Sequence, residues 1–397
     1  MRRREFIGLG VGAVAAASLG QSYWEDLFRA AASQPLRRGR GYGPLRRPDP
    51  LGFRLPEGFQ ARLVARGGQE VRGTGYRWHL ASDGMATFPA RGGGFILVSN
   101  SETVDGGASA IRFGSEGRIR DAYRILSGTS VNCSGGGTPW GTWLSCEETE
   151  DGRVWECDPA GRRRAVPRAA MGIFKHEAAA VDADGRRVYL TEDLMDGGLY
   201  RFTPARWPNL ARGKLEIARV YRGGRVQWER VPDSRAARER TRRQVRGSTR
   251  FKRGEGLWFD SGILYLSTTG DSRVHAYDTR RKRIRVVYDG FASRSAPLLR
   301  IDQMTGSRAG EIFVCEDIAT DEIDVGVIGP DRKVARFLSA TGRQHRGSEL
   351  TGVVFDPSGT RMYVASQRAF SKSELAPGPG AIYEITGPFR QPKRQSA

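Results

Sequence analysis

The stretch NCSGGGTPWGTWLSCEETEDG, Asn132 to Gly152, puts two thiols, a pair of adjacent carboxylates and three consecutive glycines within one short span. Carboxylates suit hard cations such as calcium, and a thiolate suits a softer or redox-capable metal such as iron. Cys133, Glu147 and Glu148 are therefore candidate metal ligands; the other reading is a glycine turn leading into an ordinary strand. Strand alternation puts Cys146 and Glu147 of WLSCEE on opposite faces, so both cannot reach one metal, and Cys146 is expected to pack inward.

The elements that would hold these residues repeat. GGFILVSNSE ends at Glu102, GTWLSCEE at Glu148, RRVYLTED at Asp193, GILYLSTTGD at Asp271, GEIFVCED at Asp317 and TRMYVASQR at Arg368. Each is followed by a second run of alternating β-branched and aromatic residues, such as GRVWECDPAG or GGLYRFTP, bounded by Gly, Asp or Pro. These are hairpin signals. A unit recurring every roughly 40 to 50 residues predicts a β-propeller, and six units predict six blades of an all-β fold.

In a propeller blade the innermost strand starts at one mouth of the central channel and the second strand returns to it. The first-strand entries are Asp83, Asn132-Cys133, His176-Glu177, Glu255, Asp302 and Glu349. The second-strand ends add Glu102, Glu147, Glu148, Glu192, Asp193, Asp271, Glu316 and Asp317. Any one of these acids could sit in a solvated hairpin. So many at one mouth would repel one another unless cations neutralise them, which predicts a metal cluster at the top of the channel.

At this point the residues resemble a family. NCSGGGTPWGTWLSCEE, FKHEAAAVD, YLTEDLMDGGLYRF, GEGLWFDSGILYLSTTGD and EIFVCED are similar, in that order, to segments of the PhoX-type alkaline phosphatases, and the likeness runs from about residue 50 to 385. The resemblance implies a six-bladed propeller, twin-arginine export in the folded state, and an iron and calcium centre that hydrolyses phosphate monoesters. It places Cys133 as the iron-ligating thiolate and Glu177 and Glu255 as the strongest carboxylate ligands. Glu147, Glu148, Glu192 and Asp193 would suit calcium or the surroundings of the cluster, and Asp271, Glu316, Asp317 and Glu349 are weaker matches of the same kind. Arg368 ends the sixth unit where the others carry acids, and its guanidinium could hold two phosphate oxygens or pair with a neighbouring acid. His176 would orient its neighbour, and Trp140 and Trp143 would pack within blades. Two departures stand out: Ser101 occupies the place where relatives carry a histidine before the glutamate, which puts Glu102 in doubt, and the chain is short for such a phosphatase.

The N-terminus MRRREFIGLGVGAVAAASLG has an arginine run, a mild apolar segment and an alanine-rich end, the order of a twin-arginine export signal over residues 1–30. A lead-in is expected over 31–52 and a single propeller domain over 53–390. Export predicts a periplasmic or secreted protein that meets the twin-arginine machinery; no later stretch could span a bilayer. Lys and Arg outnumber Asp and Glu by 64 to 44, a formal charge of +20. That excess either favours anionic ligands or reflects an arginine-biased genome. The arginines are not interleaved with aromatics, which argues against a specific nucleic-acid reader. The basic segment 234–255 is expected as a long mobile loop. Cys146 and Cys157 could form a disulfide in an exported protein. No Ser or Thr stands out as a covalent nucleophile. The expected partner is a small phosphorylated substrate, and the chain is expected to be a monomer. A calcium-dependent lactonase-type propeller and a non-catalytic binding propeller with structural calcium are the alternatives.

Overall fold

The computed structural model describes residues 37–39, 41–292, 296–318, 320–329, 333–371 and 377–392. The export signal expected at 1–30 lies outside the described residues. The β-rich repeats form six small antiparallel sheets, and the sheets make a six-bladed propeller.

Each repeat supplies one sheet in chain order. In the first blade the strands are Ser82–Pro89, Phe95–Ser101, Ala108–Phe113 and Ile119–Leu126. The second begins with Asn132–Gly137 and Trp143–Glu147, and the third with His176–Asp182 and Arg187–Glu192. The fourth begins with Gly254–Asp260, the fifth with Ile301–Gly306 and the sixth with Leu350–Phe355. The sixth blade takes its outer strand from the other end of the domain. Gln60–Arg66 pairs antiparallel with Ala381–Thr386, which joins the two ends of the ring. Arg37–Arg38 of the expected lead-in, and Phe53–Arg54 just after it, pair with the last strand of the fifth blade.

The second strands are buried on both faces: Phe95–Ser101 and Trp143–Glu147 are buried at every residue. A strand packed between two neighbouring blades has no solvent face, which is why these runs read as nearly continuous apolar stretches. The spaces between blades are filled by aliphatic side chains with aromatics among them. Phe313, Phe337, Phe355 and Phe389 form one such cluster with Tyr42 and Phe59, their rings mostly edge to face. Trp143 is fully buried between the first two blades, with its indole N–H donating to Asn100 Oδ1 at 2.9 Å.

The inner strands share one irregularity. Pairing with the second strand shifts register between Ser82 and Met85, Asn132 and Gly135, His176 and Ala179, Gly254 and Leu257, Ile301 and Met304, and Thr351 and Val354. A β-bulge frees a residue from the ladder and re-aims its side chain. In five blades the residue just inside the bulge is Asp83, Cys133, Glu177, Glu255 or Asp302. One repeated backbone device thus brings chemistry to the channel mouth.

Two expectations change here. Segment 234–255 is tied down instead of free. Arg242 is buried against Glu192 at 3.0 Å, and Arg240 pairs with Glu150 and Asp151. Cys146 and Cys157 are free thiols on neighbouring strands, but each faces another residue: Cys146 lies opposite Val154 and Cys157 opposite Trp143. No helix among the described residues is long and apolar enough to cross a membrane.

Candidate metal centre

Buried amides fix the backbone around Cys133. Asn100 Nδ2 donates to the carbonyls of Cys133 at 3.1 Å and Ser134 at 2.7 Å. Asn132 Oδ1 accepts from Gly107 N and the Thr129 hydroxyl, both at 2.6 Å, and its Nδ2 donates to Ser145 Oγ. With every polar atom of Asn132 engaged, the thiol beside it cannot swing away from the channel without breaking a buried network.

The mouth forms a pocket of ≈ 320 Å³. Of the residues expected from sequence, Cys133, Glu148, Glu255, Asp317, Glu349 and Arg368 line it. Glu102, placed in doubt by Ser101, lines it too, as do the strand entries Asp83 and Asp302. Ligand atoms of Glu102, Cys133 and Glu148 lie within 4.8 Å of one another, and so do those of Glu177, Glu255 and Asp302, the second set fully buried. Glu177 has no exposed surface and neither of its carboxylate oxygens has a hydrogen-bond partner. Arg253 Nη2 approaches Glu255 Oε1 to 3.0 Å, but off the line of a hydrogen bond, so this oxygen is also without a donor.

Other expected ligands are turned elsewhere. Glu147 accepts the backbone N–H of Ser130 on Oε1 and of Arg153 on Oε2, at 3.2 and 3.0 Å. Glu316 does the same with Leu299 and Asp324, at 2.8 and 3.0 Å. Glu192 accepts from Gly198 N, the Tyr200 hydroxyl and Arg242. The pattern is general: in the pairs Glu147-Glu148, Glu192-Asp193 and Glu316-Asp317 the first acid ties loops together and the second turns toward the mouth. Alternation along an extended strand accounts for it. Asp271 accepts from the Thr268 hydroxyl and pairs with Arg273, on the rim of a different cleft. Replacing Glu147 with Gln should lower stability by about 1–3 kcal/mol, because the amide nitrogen cannot accept a backbone N–H. Chemical denaturation would measure this, with metal content unchanged.

Three cations stand among the acids, two of them not expected from sequence. Lys175 Nζ bridges Glu148 at 2.7 Å and Asp193 at 3.3 Å. Arg253 contacts Asp193, Glu255 and Asp317 at 2.8, 3.0 and 3.2 Å. Arg368 lies 3.3 Å from Glu349 and 3.6 Å from Glu102. Arg253 lies just before the strand Gly254–Asp260 with a left-handed backbone (φ 53°), so strand alternation with Glu255 does not announce it. His176 is buried under Phe174 and hydrogen-bonds through Nε2 to the Gly172 carbonyl, so it braces its segment from outside the pocket.

Nine carboxylates (Asp83, Glu102, Glu148, Glu177, Asp193, Glu255, Asp302, Asp317 and Glu349) and one thiol thus meet three cationic side chains. Burial, then the neighbouring Glu255, pushes the Glu177 carboxyl well above the usual range; burial and Asp193 do the same for Glu255. Asp83 is pushed up to about 7 by burial and Glu102. Buried carboxylates without donors, held in mutual repulsion, are a costly arrangement for a protein alone and a fitting one for bound cations. The residues fit a multi-metal centre.

Comparison with known proteins follows the same line. Residues 115–156 and 151–286 match the family model of alkaline phosphatase PhoX. The chain resembles the PhoX family. Among solved structures, PhoX of Pseudomonas fluorescens in complex with vanadate, a transition-state analogue, superposes with a TM-score of 0.72 at 16% identity, covering 97% of this chain and 98% of that one. A Bacteroides thetaiotaomicron protein of unknown function (TM-score 0.51, 11% identity, 83% and 76% covered) and one from Dyadobacter fermentans (0.52, 8%, 85% and 100%) share the propeller fold. None of the curated proteins matches. Near-complete coverage of PhoX in both directions shows that the chain has the extent of that propeller.

Proposed function

We propose that this chain is a metal-dependent phosphoric monoester hydrolase working at the channel mouth. The single observation that carries this reading is Glu177, a fully buried carboxylate with both oxygens unpaired, beside Glu255 and Asp302. The match to the PhoX family model supports the reaction class.

Glu177, Glu255 and Asp302 form an all-oxygen set that suits a hard cation such as calcium. Glu102, Cys133 and Glu148 include a thiol and suit iron. Metal ions bound there would supply Lewis acidity toward the phosphoryl oxygens. The chain's own groups do the rest. Arg253 and Arg368 present guanidiniums to the pocket, where a phosphoryl group could be gripped through two oxygens. Gln367 Nε2 donates to Asp83 and, at 2.6 Å, to Glu102, which fixes the first blade's carboxylates against the sixth. Asp193 and Asp317 hold Arg253 from both sides, so its orientation is set before substrate arrives. The signal-like N-terminus supports export through the twin-arginine route to the periplasm or beyond.

The test is metal analysis with an absorption spectrum, on wild type and Cys133→Ala. Iron and calcium are expected in the wild type. The variant should lose iron and any thiolate-to-metal colour and keep its calcium. Calcium alone, unchanged by the substitution, would overturn the iron assignment and leave a calcium-only propeller.

A further inference from the structure

A second cleft opens between the third and fourth blades, outside the channel. It has a volume of ≈ 310 Å³ and is lined by Arg250, Lys252, Arg273 and Arg285, with Asp271 as the acid on its wall. That size falls at the lower end of small-molecule sites. A turn in the chain separates it from the mouth: Lys252 lines this cleft, and the next residue, Arg253, with a left-handed backbone, lines the metal pocket.

The charges in this cleft are unevenly matched. Arg273 is held between Asp271 at 3.1 Å and Asp289 at 2.8 Å, which neutralises it. Arg250 is different: its Nη1 donates to the carbonyl oxygens of Asp196 and Arg242, at 3.2 and 2.5 Å, so its position is fixed while its charge is uncompensated. Lys252 is exposed and has no carboxylate partner among the described residues. Two neighbouring cations with no acid between them call for a dianion. The floor beneath them is apolar, with Phe251 and Ile284 buried and Val286 partly exposed.

We propose that this cleft binds a small ligand carrying a phosphoryl dianion on an apolar body, separately from the metal centre. Arg250 and Lys252 take the phosphoryl oxygens, and the apolar body lies on Phe251 and Val286. The site does not depend on the hydrolase reading, since none of these residues belongs to the mouth.

The experiment is lysine footprinting of the full-length, metal-loaded protein with an amine-acylating ester, read by mass spectrometry. The probe is phenylphosphonate, whose carbon–phosphorus bond a monoesterase does not cleave. Acylation of Lys252 should slow severalfold with the probe, while Lys214 and Lys282, exposed elsewhere, react as before. Inorganic phosphate at the same concentration should protect less. In Arg250→Ala the probe concentration for half-protection should rise about tenfold, the loss of one charge-assisted hydrogen bond. Protection should persist in Arg253→Ala. An unchanged Lys252 rate would overturn the proposal, as would protection lost in Arg253→Ala but kept in Arg250→Ala. Equal protection by inorganic phosphate would overturn the ligand class.

Discussion

Glu177→Gln should abolish calcium binding and activity and at the same time make the metal-free protein more stable. The carboxylate is fully buried and neither oxygen has a donor. With cations bound, it is a ligand that an amide cannot replace; losing even a residue that only supports a ligand costs 10–100-fold in affinity or activity, so about 10³-fold or more in kcat is expected here. After chelation the sign reverses. Burial and Glu255 raise the Glu177 pKa well above its usual 4.5. Between 4.5 and that higher value the folded chain keeps a proton that the unfolded chain releases. Its unfolding free energy therefore falls as pH rises through this window. A glutamine does not titrate. Metal-free wild type and variant should unfold alike below about pH 4, and the variant should be the more stable by about 1–3 kcal/mol at pH 8. Urea titrations of the chelated proteins at both pH values measure it. A metal-free variant less stable than metal-free wild type at pH 8 would show that Glu177 is a structural residue with a partner of its own.

The ring of six blades could be read from the chain because its signal is repeated. Six hairpins, each bounded by Gly, Asp or Pro, leave little choice of architecture, and the same repetition placed Asp83, Cys133, Glu177, Glu255 and Asp302 at strand entries. The sorting of the second-strand acids could not be read so easily. Glu147 and Glu148 are chemically alike and adjacent, and only the backbone N–H groups of Ser130 and Arg153 decide that the first is a loop tie. Those donors come from the loop before the blade and from the turn that follows Glu148 within it, so no residue pattern at the pair itself announces them. The bulges escaped notice for a related reason: a register shift is a property of two strands, visible only once both are paired. Lys175 and Arg253 were hidden by composition. In a chain with 64 basic residues, the two that stand among nine carboxylates look like any others until the fold brings the acids to them.

Arg253 should matter more to the reaction than Arg368, although Arg368 is the one that breaks the repeat pattern. Both line the mouth. Arg368 is 44% exposed and its partners Glu349 and Glu102 stand off at 3.3 and 3.6 Å, so water competes for it and its hold on a phosphoryl group is loose. Arg253 is 30% exposed and contacts Asp193, Glu255 and Asp317. A guanidinium held in place by acids in a partly desolvated site stabilises developing charge without reorganising. Arg253→Ala should lower kcat by about 10²–10³-fold, the range for removing a preorganised donor, and Arg368→Ala by about tenfold or less. Arg253→Lys should fall between wild type and Ala, since an ammonium keeps the charge but not the two-pronged geometry. The metal content separates this from loss of a ligand. Removing Arg253 leaves Asp193, Glu255 and Asp317 without their counter-cation, so Arg253→Ala should retain its metals at least as tightly as wild type, whereas Glu177→Gln loses calcium. Steady-state kinetics on an aryl phosphate, with metal analysis of the same samples, distinguishes the two. If Arg253→Ala were to lose both metal and activity, the residue would be a structural counter-ion of the cluster, and the phosphoryl grip would pass to Arg368.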